Sequence, residues 1–271
     1  MYILAVLLTT LAVLVIMAPL GVRTWSGARA VGRRIVLALK GMRFAPDTGL
    51  SDAQKRSIAI SAALAELYCA YLDSLATGQD LKELREQFSE QYLIDSPRRA
   101  FGTIEYCLAG REASLLALVY GAFAIKDERE QRAFLRGVTE DKDEYYEEVL
   151  EMVQELERNF DKLRQYGVVE TEADILRVGT VGWDATLACW LARCSYDLGY
   201  ISESEAWGYI LRAERMARKT FSSWEEFGKS YMLGRAISTG DISSGIKAIV
   251  EDLVEKRKSP WQRYPWGGSP L

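Results

Sequence analysis

The longest uncharged run in this sequence sits at its start: Met1 to Val22 carries no charged side chain, and the six charged residues from Arg23 to Phe44 (Arg23, Arg29, Arg33, Arg34, Lys40, Arg43) are all basic. Tyr2 to Val22 as a helix extends about 31 Å at about 1.5 Å per residue, which matches a hydrocarbon core of about 30 Å. Thr9 and Thr10 can bond back to carbonyls of the same helix, and Trp25 falls where the headgroups would lie. We therefore expect residues 1–22 to be a transmembrane anchor. Cations after the span hold its C-terminal side in the cytoplasm and leave the N-terminus outside. A cleaved secretory signal is the rival, with Ser26-Gly27-Ala28 as its small-residue site. The missing basic leader and the length of the run favour the anchor. Residues 23–50 form a basic juxtamembrane stem, of which 29–44 fit either a membrane-surface helix on anionic lipid or a linker whose cations only set topology.

Removing the six leading cations from 34 Lys and Arg leaves 28 against 38 Asp and Glu, so residues 45–271 carry a formal charge of −10. That balance opposes nucleic-acid binding, which needs cations to displace counterions from phosphates. His is absent, which removes the usual neutral-pH base, any Ser-His-Asp arrangement and the commonest zinc ligand. Cys69, Cys107, Cys189 and Cys194 show no paired spacing and read as buried thiols. No cofactor or metal site is expected.

Downstream, residues 51–271 read as one all-α domain, an irregular bundle of about seven to nine helices with the transmembrane helix preceding it. Ser51-Asp52-Ala53-Gln54 is a capping box that predicts a helix to about Thr77, with Gly78 as its stop. A shorter helix follows over 81–93, and Ser96-Pro97 opens one to about Ala124. From Thr139 to Tyr166, Val149, Met152, Leu156, Phe160 and Leu163 make one apolar stripe, and acidic residues crowd the first turns. Among these, Glu144, Glu147, Glu148 and Glu151 could be a carboxylate metal set, but without His they read as a solvated face available to a basic partner.

Residues 182–238 predict three helices with two tight joints. Trp183, Leu187, Trp190, Leu191, Cys194 and Leu198 face one way in the first. Gly199 and the Ser202–Glu205 capping box turn the chain into the second, with Trp207, Ile210 and Leu211 inward and Arg212, Arg215, Arg218 and Lys219 outward. Ser222-Ser223-Trp224-Glu225 then launches the third, with Trp224, Phe227, Tyr231 and Ile237 on one side. Two Pro-linked indoles, Trp261 and Trp266, end the pattern.

The series Trp183-Asp184, Gly199-Tyr200-Ile201 with Glu205-Ala206-Trp207, Ser223-Trp224 with Phe227, Ser230-Tyr231 with Gly234-Arg235, and Pro265-Trp266 resembles the bacterial family called domain of unknown function 1266. The resemblance spans about residues 182–266, with the family-like part of the domain at about 150–271. It implies an all-helical bacterial domain and imports no activity; the expected anchor and the cations after it then place the chain in the inner (plasma) membrane.

Asp184, Glu205 and Arg235 are the candidate catalytic residues, and Tyr231 with Arg235 a candidate binding pair: two carboxylates could activate a ligand while the guanidinium clamps an anion. The alternative is a structural network in which Asp184 caps its helix, Glu205 closes its box and Arg235 pairs with one of them. The favoured expectation is a membrane-tethered, non-catalytic module that binds a protein with a basic surface, as an immunity or accessory protein would. The competing one is an enzyme using Asp184, Glu205 and Arg235.

Overall fold

The helix expected from Ser51 starts at its cap and stops ten residues short of Thr77, at Leu67. We describe the chain from a computed structural model over residues 41–139 and 143–267; the expected anchor 1–22, the stem as far as Lys40, Glu140, Asp141 and the side chain of Glu144 lie outside the described residues. Helix α1 (Asp52–Ile58) passes through a 3-10 turn at Ala59–Ser61 into α2 (Ala62–Leu67). Cys69 then takes a left-handed φ of 54°. The Cys69 amide donates to the Glu66 carbonyl at 3.0 Å and the Ala70 amide to the Ala65 carbonyl at 2.7 Å, a Schellman stop with cysteine where glycine is usual.

The chain from Ala70 to Asp80 is irregular and is organised from far away. Arg193, with no exposed surface, donates to the carbonyls of Tyr71 at 2.6 Å and Leu75 at 3.3 Å and to the Ser61 hydroxyl at 2.9 Å. Asp197 receives the Thr77 amide at 2.8 Å. Burying a guanidinium is tolerable only when its donors are taken up, and here backbone carbonyls left free by the broken helix take them.

Helices α3 (Leu81–Gln91), α4 (Pro97–Leu108), α5 (Arg111–Ala124), α6 (Glu128–Val138) and α7 (Asp143–Gln165) follow. The single helix expected from Pro97 to Ala124 is thus two, bent by 54° at Gly110, whose φ is 67°. After α8 (Asp174–Val178) come α9 (Val181–Asp197), α10 (Glu203–Thr220), α11 (Trp224–Thr239), α12 (Ser244–Glu255) and α13 (Pro260–Arg263). The fold is all-α: no strand occurs among the described residues, only an isolated bridge between Arg43 and Tyr71. Against seven to nine expected helices, the described residues hold nine of eleven residues or more and four shorter ones.

Helix α9 is the axis. It packs against α2, the 3-10 turn, α4, α5, α10 and α11, and it buries residues on every side, as a helix without a polar face must. Two glycines set its distance from α11. A Cβ on Gly234 would lie 2.3 Å from that of Trp183, and one on Gly182 would lie 2.7 Å from the backbone of Phe227 and Tyr231.

The tail closes the core. Trp261 stacks on Trp224 at 5.1 Å and donates to the Ala59 carbonyl at 2.9 Å, while Trp266 meets Trp224 edge-on at 4.5 Å and donates to the Phe221 carbonyl at 2.9 Å. Residues Met42 onward form one compact unit with a contiguous core. It takes in the end of the expected stem, since Met42 is buried and the Arg43 guanidinium sits 4.5 Å over the Tyr71 ring. No single described helix is long and apolar enough to cross a membrane; α4 and α5 together are, by length and composition, but they are bent and contribute Ile104, Cys107, Leu115 and Val119 to the core.

Candidate functional site

Asp184 occupies the first turn of α9 yet caps another helix. Gly110 at the start of α5 has no side chain to offer, and Asp184 supplies the missing acceptor: its Oδ2 receives the Ala113 amide at 3.2 Å. The residue is 1% exposed and its Oδ1 has no partner. Burial pushes its carboxyl up to about 7; the amides at the start of α5 pull the other way and nearby Glu112 adds to the rise. A carboxyl with this value is chemically able to exchange a proton near neutrality. At 1% exposure it is enclosed by the packing around it.

The same turn of α5 gathers further polar groups. Glu112 accepts from the Ser238 hydroxyl at 2.9 Å, and burial raises its carboxyl too. Arg111 donates to Glu148 at 2.8 Å, Tyr106 donates to the other Glu148 oxygen at 3.0 Å, and the Arg111 guanidinium lies 5.1 Å over the Tyr145 ring. Asp184 and Glu148, members of two separate sequence-level groups, thus hold neighbouring residues of one helix start. Sequence reasoning gave no role to Arg111, Glu112 or Ser238; the Gly110 break was the signal that a helix begins at Arg111 and needs a cap from elsewhere.

Glu205 lies elsewhere. It is exposed and completes the capping box of α10, accepting the Ser202 amide and hydroxyl at 2.7 Å each, and these bonds hold its carboxyl below the usual range. Arg235 is 7% exposed and pairs with Asp241 at 2.6 Å, rather than with Asp184 or Glu205, while its guanidinium lies 5.8 Å over the Trp183 ring. Tyr231 is wholly buried, tilted against Trp183 at 5.8 Å, and burial pushes its phenol up while Arg235 opposes the rise. Ser230 accepts the Gly182 amide at 3.0 Å and donates to the Gly179 carbonyl at 2.8 Å, tying α11 to the start of α9. The three candidate catalytic residues therefore take three separate sets of partners. Of the four Trp residues on α9, α10 and α11, 183, 190 and 224 are buried; Trp207 is half-buried, its indole directed to Glu203 one turn back at 3.4 Å.

On α7 the apolar stripe turns inward at Val149, Met152, Leu156 and Leu163. Glu147 and Glu151 face outward and take no hydrogen bond or ion pair among the described residues, whereas Glu148 is held by Arg111 and Glu155 by Arg158 at 2.6 Å. No group of three or more His, Cys, Asp or Glu able to hold a metal ion occurs among the described residues. The cysteines are free, and burial raises the thiols of Cys107, Cys189 and Cys194.

In comparisons with known proteins, the sequence model of the family described as "Protein of unknown function (DUF1266)" matches residues 87–266. No curated protein and no solved structure matches the chain.

Proposed function

The chain belongs to the DUF1266 family of unknown function, and from that premise we propose that it is a membrane-tethered, non-catalytic module whose helix α7 docks a protein with a basic surface. One observation carries the reading: Glu147 and Glu151 stand one turn apart on the outer face of α7 without a counter-charge among the described residues. Like charges at this spacing cost a helix about 0.2–0.5 kcal/mol, which a cationic partner would relieve. Charge of one sign on an exposed face also speeds encounter with a complementary surface. The motif charges support the reading from the other side, because Asp184 and Glu205 serve as caps and Arg235 is paired with Asp241. An immunity protein or an accessory factor of a membrane complex fits such a module.

In this reading residues 1–22 anchor the chain in a bacterial inner membrane, with the N-terminus outside and the helical domain in the cytoplasm. Carbonate extraction would leave the full chain in the membrane fraction and release a chain lacking residues 1–22. The second reading, an enzyme, draws on the near-neutral carboxyl of Asp184; its enclosure and the engagement of Glu205 in its own capping box weigh against it.

The test is co-purification from the native host in neutral detergent, with the full chain beside its Glu147→Lys, Glu151→Lys variant. A partner held by the unaltered chain, released by salt and missing from the variant is the expected result. A partner that the variant retains in full would defeat the proposal.

A further inference from the structure

Helix α10 presents a second charged surface, of opposite sign. Arg212, Arg215 and Lys219 share one side of it and, with Thr220, Met216, Leu108 at the end of α4 and Val181 at the start of α9, line a groove of about 360 Å³. No carboxylate lines this groove, on a domain whose sequence is acidic by ten charges over residues 45–271. The volume falls toward the small end of ligand pockets, which run from about 300 to 1,000 Å³.

The three cations are not equivalent. Arg212 is held by Glu105 through two hydrogen bonds of 2.5 and 2.7 Å, which fix its fork and neutralise it. Arg215 and Lys219 are exposed, have no ion-pair partner among the described residues and stand one turn apart, a like-charge pair that costs α10 stability when nothing answers it. Favourable interaction with the helix dipole accounts for Lys219 in the last turn, but the effect fades within that turn and Arg215 lies before it. A further positive contribution reaches the groove from α9, a 17-residue helix whose first residue, Val181, is in the lining. The floor is apolar: Leu108, Val181 and Met216 can take up hydrocarbon but offer an inorganic anion nothing.

From this combination we infer that the groove binds a phosphate-headed amphiphile, its phosphate between Arg215 and Lys219 and the first part of its apolar chain over Met216, Leu108 and Val181. Two adjacent cations suit a phosphate monoester, which carries between one and two negative charges near neutrality. The site lies on α10 and does not depend on the acidic face of α7 being a docking surface.

The experiment is calorimetric titration of the full chain in neutral maltoside detergent with dihexanoyl phosphatidic acid, dihexanoyl phosphatidylcholine and inorganic phosphate. The same titrations are run on an Arg215→Gln, Lys219→Gln variant, on Met216→Ser, and on a control carrying Lys162→Gln and Lys258→Gln. The inference predicts one site for phosphatidic acid, weakened at least tenfold in the double-cation variant, several-fold in Met216→Ser, and unchanged in the control. Phosphatidylcholine and inorganic phosphate should each bind at least tenfold more weakly. Thermal melting checks that the variants are folded. Inorganic phosphate binding as tightly as phosphatidic acid would overturn the amphiphile in favour of a bare anion. Absent binding of phosphatidic acid, or binding that the double-cation variant retains, would overturn the site itself.

Discussion

Helices α9 and α7 both carry acid and base, and they use them in opposite ways. In α9, Arg193 is sealed among carbonyls of the irregular segment after α2, and Asp184 caps α5 from outside that helix. Each such charge holds together parts of the chain remote in sequence. In α7, Glu147 and Glu151 hold no partner among the described residues. A buried charge that lost its partner would be a severe defect, whereas an exposed one can wait for a partner at little cost. The comparison gives the family-motif charges around α9 an architectural role, and the proposed reading gives recognition to the outer helix.

The sharpest way to break it is at Arg193. Replacement by Ala strands the carbonyls of Tyr71 and Leu75 and the Ser61 hydroxyl and opens a cavity, so equilibrium urea unfolding should show a loss of about 3–5 kcal/mol. A loss below about 1 kcal/mol would mean that α9 does not organise the segment after α2. Next, Gly234→Ala pushes a methyl group against Trp183 where both backbones are fixed by helix packing, and should cost about 1–3 kcal/mol by the same assay despite alanine's better helix propensity.

Asp184 sharpens the comparison through pH. Its carboxyl keeps a proton up to about 7 in the fold, against an ordinary aspartate value of 3.8. Between those values the unfolded chain is the more deprotonated. The stabilisation tied to the bound proton is therefore complete below the unfolded value and lost as pH rises toward 7. Asp184→Asn keeps an acceptor for the α5 cap and has no charge to bury. Relative to the unaltered chain it should gain stability steadily from about pH 4 to about pH 7, reaching roughly 3–4 kcal/mol. A difference that does not vary with pH would remove the buried-acid description. At the small end, Glu147→Lys with Glu151→Lys should move unfolding free energy by less than about 0.5 kcal/mol, as expected for exposed positions without partners.

Local signals made much of this fold readable. The Ser51 and Ser202 capping boxes, the joint at Gly199 and the apolar stripe of α7 are each written within a few residues, and the helices begin and turn where they say. The start of α11 is shifted by one: Ser223 is the cap, while Glu226 takes the Ser222 amide at 2.8 Å. The early end of α2 was not readable, because it depends on Cys69 in a left-handed conformation and on acceptors meeting Arg193 from more than a hundred positions away. Gly110 was a visible break that helical periodicity on both sides obscured. The candidate site divides the same way. Glu205 closing its own box follows from spacing alone, but the cap that Asp184 provides for α5 is set by tertiary packing, and the Arg235–Asp241 pair by the left-handed turn at Gly240 that ends α11.

The most direct test of the assignment puts both helices in one capture experiment. Full-length Asp184→Asn and Glu147→Lys, Glu151→Lys chains are brought to equal folded fraction and compared for retention of the same salt-sensitive protein partner from the native host. The account predicts that the Asp184 variant keeps the partner at the level of the unaltered chain and the α7 variant loses it. Loss in the Asp184 variant with retention in the α7 variant would contradict it and move the functional site to the family motif.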